Sequence, residues 1–332
     1  MGNPVSLFGV SSLVSDAADL MVSRSVPAAA KAIYGQVFDA AALSRISALI
    51  VKQPPRFDAS DLYGVGGKPR DVDIDQDSLS DCYFVATLAA IADKQPQRIQ
   101  NAIKYDPATE TFNVTLYKQE WSWNPPGMQT KAVVIPVTQQ DLLDNISRRG
   151  GSTVDNNPGT DGPIWPAVLE TAFAKMNDSN WSNGLTEGYN NINGGFGRDA
   201  MFALTGDKGT DYKGYAPFPV NIQADILYTQ INYALSEGRP VTLSTDPERR
   251  TLLDFVLGQP GRQDGLSDDH VYSVERIYKD ANGKVMVELR NPWGNNLNVG
   301  EGADTASAII TVPLERLLET GGLECFNVGP RP

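Results

Sequence analysis

The chain has 332 residues, 41% of them hydrophobic, and a formal net charge of −12. That length suffices for one large domain or two lobes with a real core, and the composition is that of an ordinary globular protein. The acidic balance offers no basic stripe to offset phosphate repulsion and excludes nucleic acid as the main partner; two distant cysteines give no disulfide scaffold and point to a reducing compartment.

No apolar run reaches the ~18 residues of a membrane span. The N-terminus, MGNPVSLFGVSSLVSDAADL, lacks a cationic region and carries two Asp, which makes a poor secretory signal, so a cytoplasmic location is expected. Residues 4–50, rich in Ala, Ser, Val, Leu and Ile, read as two or three helices broken near Pro27. Residues 1–60 are thus expected to form a helical extension, either a pro-region packed on the active-site cleft or a targeting segment. Lys52 to Asp77 holds enough Pro, Gly and Asp to be an extended linker. The stretch SLSDCYFVATLAAIAD, residues 78–93, then sets Cys82 between a polar turn and an apolar helix that runs to about Pro96.

Further on, TFNVTLYKQEW (111–121) and KAVVIPVT (131–138) alternate like strands. IWPAVLETAFAKMND (164–178) is a compact amphipathic helix, followed by the Gly/Asn-rich NGLTEGYNNINGGFGRD (183–199). ADILYTQINYALSEGRPVTLSTD (224–246) reads as a helix, a stop at Gly238 and a buried strand. HVYSVERIYKDANGKVMVELRNPWG (270–294) is a strand, a hairpin turn at DANGK and a second strand. AIITVPLERLLETGG (308–322) closes with a strand and a short helix. A helical first half and antiparallel strands in the second predict an α+β protein with two lobes.

A thiol at the first turn of a helix meets unpaired N–H groups and the positive end of the macrodipole, which favour the reactive thiolate. The plainer reading of Cys82 is a small buried hydrophobe. His270 is the only histidine in the chain and hence the only imidazole available as a base. The hairpin returns Asn291 beside the His270 strand, and neighbouring strands lie about 4.8 Å apart. An Asn carbonyl there can fix the ring tautomer and aim the other nitrogen at the thiol. Cys, His and Asn in that order make the cysteine-peptidase arrangement of a papain-like fold. Gln76, six residues before Cys82, has a side-chain amide that can form an oxyanion hole with the Cys82 N–H.

These residues lie in blocks that resemble the protease core of calpains over most of residues 63–328. QDSLSDCYFVAT from Gln76 is similar to Q-G-x-L-G-D-C-W-F-L-A-A, and WPAVLETAFAK from Trp165 to W-x-x-L-x-E-K-A-Y-A-K. TEGYNNINGG from Thr186 resembles T-E-G-F-x-x-x-T-G-G. HVYSV and LRNPWG match H-A-Y-S-V and L-R-N-P-W-G, and LECFNV from Leu323 resembles L-E-I-C-N. The resemblance implies a papain-like, two-lobed cysteine endopeptidase acting on protein or peptide substrates. Its catalytic core spans 61–332, with a helical first lobe over about 61–205 and an antiparallel β second lobe over about 206–332. It further implies Cys82, His270 and Asn291 as the triad, Gln76 as the oxyanion donor, Gly194 and Gly195 as substrate-binding positions, Trp293 as the indole over the triad, and Cys325 as an inert structural cysteine.

Several positions depart from the pattern: Asp77 and Ser80 replace glycines, Tyr83 replaces Trp, and Asp269 replaces the Gly before His270. These leave two alternatives, a non-catalytic protein of the same fold that binds peptide, or an acyl transferase using the same triad. No cofactor is required. Calpain cores hold calcium at two sites, and Asp73 falls at one ligand position, but its partner position falls near Ser182 or Asn183, neither a carboxylate. Calcium dependence is therefore expected to be weak or absent. Asp269 and a Cys82 thiolate are both expected to hold the His270 pKa above ~6.5.

Overall fold

Ten consecutive buried side chains, Tyr83 to Ala92, make helix α1 (Cys82–Lys94) the axis of the first lobe. A helix apolar on every face has no side to give to water and must be wrapped by other elements. The computed structural model describes residues 56–76, 79–147, 162–247, 249, 263–297 and 306–332, so the extension expected over 1–60 lies outside the described residues up to Pro55.

Around α1 the first lobe places α2 (Pro96–Ala102), α3 (Gln139–Ser147), α4 (Trp165–Met176), α5 (Thr186–Asn191) and α6 (Gly197–Thr205). Proline at the first position of α2 suits a turn whose N–H would be unpaired anyway, and it separates α2 from α1. The lobe is not purely helical: β1 (Ile103–Asp106), β2 (Thr111–Trp123) and β3 (Pro126–Val137) form an antiparallel sheet in that order. Phe112, Val114 and Leu116 alternate into the core along β2, as the period-2 pattern requires. The β2–β3 ladder runs from Phe112↔Val137 out to Trp123↔Pro126, so both strands are longer than their alternation alone indicates.

The second lobe is a six-stranded sheet in the order β4-β9-β5-β6-β7-β8, and its ladders are antiparallel. Its strands are β4 (Thr210–Tyr212), β5 (Val241–Thr245), β6 (Val271–Lys279), β7 (Val285–Arg290), β8 (Ile309–Pro313) and β9 (Leu323–Val328). Helices α7 (Val220–Ser236) and α8 (Leu314–Thr320) pack on it. Gly238 has φ +69°, the left-handed conformation that ends α7 where the sequence indicates. In the DANGK turn, Asp280 Oδ1 accepts from Asn282 N and Lys284 N, both at 2.8 Å.

Two hydrophobic cores result. The second is built from residues such as Leu227, Val241, Tyr272, Val287 and Phe326. The first is built around Phe84, Leu88, Phe112, Trp165 and Leu169, and it also takes in Val271 from the start of β6. The helix that starts at Cys82 therefore packs directly on the strand that follows His270.

Phe84 is fully buried and stacks on Phe173 of α4, with ring centroids 4.2 Å apart and planes 3° from parallel. Phe84→Ala should destabilise the protein by about 3–5 kcal/mol, the usual cost of removing a core aromatic. A urea midpoint that falls at unchanged m-value is the expected result.

Candidate active site

Cys82 is the first residue of α1, with Asp81 as N-cap, so the backbone amides of the first turn lie at the sulfur. Hydrogen bonds from the Val271, Tyr83 and Cys82 amides all pull the thiol pKa down. Burial outweighs them, and the neighbouring Asp81 carboxylate adds to it, so the thiol is pushed up to about 11. That shift opposes the thiolate that the helix terminus favours. A helix terminus lowers a thiol pKa most where water reaches the sulfur freely; here Cys82 is only partly exposed.

His270 is 4% exposed. Its backbone is held by Thr245, whose Oγ1 accepts from His270 N at 3.0 Å and whose N donates to His270 O at 2.9 Å. The imidazole lies between the edge of Tyr272, with centroids 4.9 Å apart, and the Trp293 indole at 4.4 Å and 35°. Nε2 meets Asn291 Oδ1 at 3.0 Å. The same oxygen accepts from the Trp293 backbone N–H at 3.1 Å, and because an N–H only donates, this end of the Asn291 amide is oxygen. The proton therefore sits on Nε2, leaving Nδ1 with a lone pair for base chemistry.

Burial drives the His270 pKa down to about 4, and the Asn291 bond only partly opposes it. This reverses the expected rise above 6.5. The Asp269 carboxylate is exposed to water, where its field is screened, and the raised Cys82 pKa disfavours a thiolate that would attract the ring proton. Asp269 has φ +49°, which explains why glycine suits the position before this histidine. Aspartate tolerates left-handed backbone better than most residues.

Gln76 is buried at the base of the site, with its backbone N–H bonded to Pro292 O at 2.7 Å. Its Nε2 donates to Leu79 O at 2.6 Å and to Asp81 Oδ1 at 3.0 Å. Both amide hydrogens are thus used within the turn before Cys82, not aimed at an oxyanion. Gly194 and Gly195 lie against the same turn: Gly194 N donates to Ser80 O at 2.7 Å. A Cβ on Gly195 would come within 2.6 Å of the Tyr83 ring, and the Tyr83 hydroxyl donates to Ile192 O at 3.1 Å. The tyrosine in place of Trp therefore ties the glycine loop to α1. Cys325 is buried in β9 with its thiol pushed up to about 12, chiefly by burial.

Two features escaped the sequence reading. Thr245, which clamps the His270 backbone, closes an unremarkable strand. Asn296, fully buried, accepts from Asn291 Nδ2 at 3.2 Å through Oδ1 and donates from Nδ2 to Ser307 O at 2.7 Å. The signal in the sequence was a repeated asparagine after NPWG, which composition alone marks as a turn.

Asp73 does not fit a calcium ion. Oδ1 accepts from Arg70 Nε and Nη2, and Oδ2 from Arg70 N and the Trp165 indole N–H, so its acceptor positions are filled. Ser182 Oγ donates to Asn180 Oδ1 at 2.6 Å. Among the described residues, no group of three or more His, Cys, Asp or Glu side chains is placed to hold a metal, and no helix is long and apolar enough to cross a membrane.

A family model described as calpain family cysteine protease matches residues 27–313. The chain is 25% identical to human calpain-8 over 252 residues, covering 74% of this chain and 31% of that protein. It is 25% identical to the rat calpain-2 catalytic subunit over 277 residues, or 80% and 34% of the two chains. With the rice calpain-type cysteine protease ADL1 it shares 23% identity over 243 residues, 70% of this chain and 9% of that protein. The match thus spans about a third of the animal relatives and a smaller share of the plant one.

A neutral thiol and a neutral imidazole have measurable signatures. The single imidazole should stay unprotonated from pH 7 down to about 5 and titrate near 4 by NMR. The unfolded chain takes up that proton near 6.5, so the His270 contribution to folding stability should fall as pH drops from about 6.5 to 4 and level off below. Alkylation of Cys82 by iodoacetamide should rise about tenfold per pH unit from 7 to 9, since the thiolate fraction grows in that proportion below a pKa of about 11. A rate already flat above pH 5 would show a preformed thiolate.

Proposed function

The chain belongs to the calpain family of cysteine proteases, and from that premise we propose that it is a cysteine endopeptidase cleaving protein substrates by a Cys82–His270–Asn291 triad. The observation that carries this reading is the Asn291 oxygen on His270 Nε2, which leaves Nδ1 as the base. Resting charges are absent, so the nucleophile forms in the reaction itself. As the Cys82 sulfur attacks the scissile carbonyl, Nδ1 takes the thiol proton, and the imidazolium is stabilised through Nε2–H by Asn291. The oxyanion is held by the Cys82 N–H and by Gln76 once its amide has turned away from Leu79 and Asp81. The imidazolium then protonates the leaving amine. Water, deprotonated at Nδ1, attacks the acyl-enzyme, and its proton returns to the thiol as the acid product leaves.

Gly194 and Gly195 present the backbone that lies along the substrate, and Trp293 keeps water from the imidazole. Weak calcium dependence or none is supported by the Arg70 and Trp165 donors that engage the Asp73 carboxylate. A reducing, cytoplasm-like compartment suits the free thiols of Cys82 and Cys325.

Casein digestion tests the assignment. Cys82→Ala should abolish cleavage, while Cys325→Ser should keep most of it. Chelator should leave the rate within about twofold. Equal loss in both cysteine variants, with both folded, would refute the nucleophile, and amine incorporation in place of hydrolysis would point to acyl transfer. Gln76→Ala should lower kcat by about 10²–10³, the scale of losing one oxyanion donor.

A further inference from the structure

We propose that Asn296 is a positioning residue, holding the Asn291 amide with its oxygen toward His270 and so fixing the tautomer of the base. This rests on the triad reading above and deepens it. The orientation of two consecutive side-chain amides is fixed by backbone groups at the ends of the network. At one end the Ser307 carbonyl can only accept, so Asn296 presents Nδ2 to it, at 2.7 Å. Asn296 Oδ1 is then left facing Asn291 and can only accept, so Asn291 presents Nδ2, at 3.2 Å. At the other end the Trp293 N–H can only donate, and it meets Asn291 Oδ1 at 3.1 Å. Both conditions agree, and the imidazole sees an oxygen.

Asn291 and Asn296 are both fully buried, so no bulk water replaces a missing partner. Without Asn296 the Asn291 NH2 has lost its acceptor, and the Trp293 N–H is the one backbone group left to select the orientation. The amide then holds its orientation less tightly, and a flipped amide, whose NH2 would donate to Nε2 of the other tautomer, competes with the native one. Loss of the proton from Nε2 places it on Nδ1, where the ring cannot accept from the thiol.

The test uses the full chain and the lone histidine. Asn296→Leu should lower kcat about ten- to hundredfold with KM little changed, the range seen when the outer partner of an active-site histidine ligand is removed. In an Asn291→Ala background the same substitution should have no further effect on kcat, because the group it positions is gone. Long-range nitrogen NMR of the single imidazole should show Nε2–H in the wild type and a mixture of tautomers in Asn296→Leu. Asn296→Ala is the second variant and is read in the same way should the leucine prevent folding. Equal kcat losses in the two backgrounds, or a lowered kcat with the Nε2–H tautomer intact, would overturn the proposal. The NMR readout needs no turnover. A chain that cuts nothing, yet shifts tautomer on losing Asn296, would sink the peptidase reading and leave this one standing.

Discussion

The site depends on one packing contact, between the first turn of α1 and the first residue of β6. Cys82 and His270 come from different lobes, and nothing in either lobe alone sets their relation. Val271 sets it: its side chain is buried in the first lobe's core, while its backbone belongs to the second lobe's sheet and its N–H reaches the Cys82 sulfur. His270 is the residue before it. Burying a valine is worth roughly 1.5–3 kcal/mol, so the register between thiol and imidazole rests on apolar packing, with no attraction between charges required.

That arrangement explains the electrostatics. Packing α1 on β6 buries the imidazole and leaves the thiol partly exposed, and burial moves each toward its neutral form, the thiol upward and the imidazole downward. Separating charge in the free enzyme would mean placing a thiolate beside the buried Asp81 carboxylate and an imidazolium beneath an indole. On the proposed mechanism a substrate carbonyl changes the balance, because negative charge passes from sulfur to the oxyanion as the bond forms. Gln76 belongs to the same account. Its amide serves Asp81 and Leu79 until an oxyanion competes for it.

Much of this was legible in the chain. The Cys82 junction, the lone His270 and the hairpin return to Asn291 are local patterns, and local patterns survive folding. The α+β division followed from the change of period between the two halves. What the sequence could not carry were quantities created by tertiary contact. Thr245 and Asn296 act only because other strands and turns lie against them, and neither has a distinctive neighbourhood in sequence. The pKa directions were misjudged for the same reason: the helix terminus and Asp269 are visible in sequence, whereas the burial that overrides them is not. The strand β1 and the tip of the β2–β3 hairpin also went unseen, since pairing rather than alternation defines them.

The contact between Tyr83 and Gly195 bears on how such an enzyme can diversify. Any side chain at position 195 would drive into a ring anchored to the helix that begins at Cys82, so a change made there would be inherited together with a displaced thiol. Neutral drift is open elsewhere along the same loop: Gly194 has empty space around its Cα, although its φ of +86° still disfavours most residues, and Phe196 next door is about half exposed. Variation among descendants of this chain should accumulate at Phe196 and beyond, while the Tyr83–Gly195 pair changes only by joint substitution or not at all.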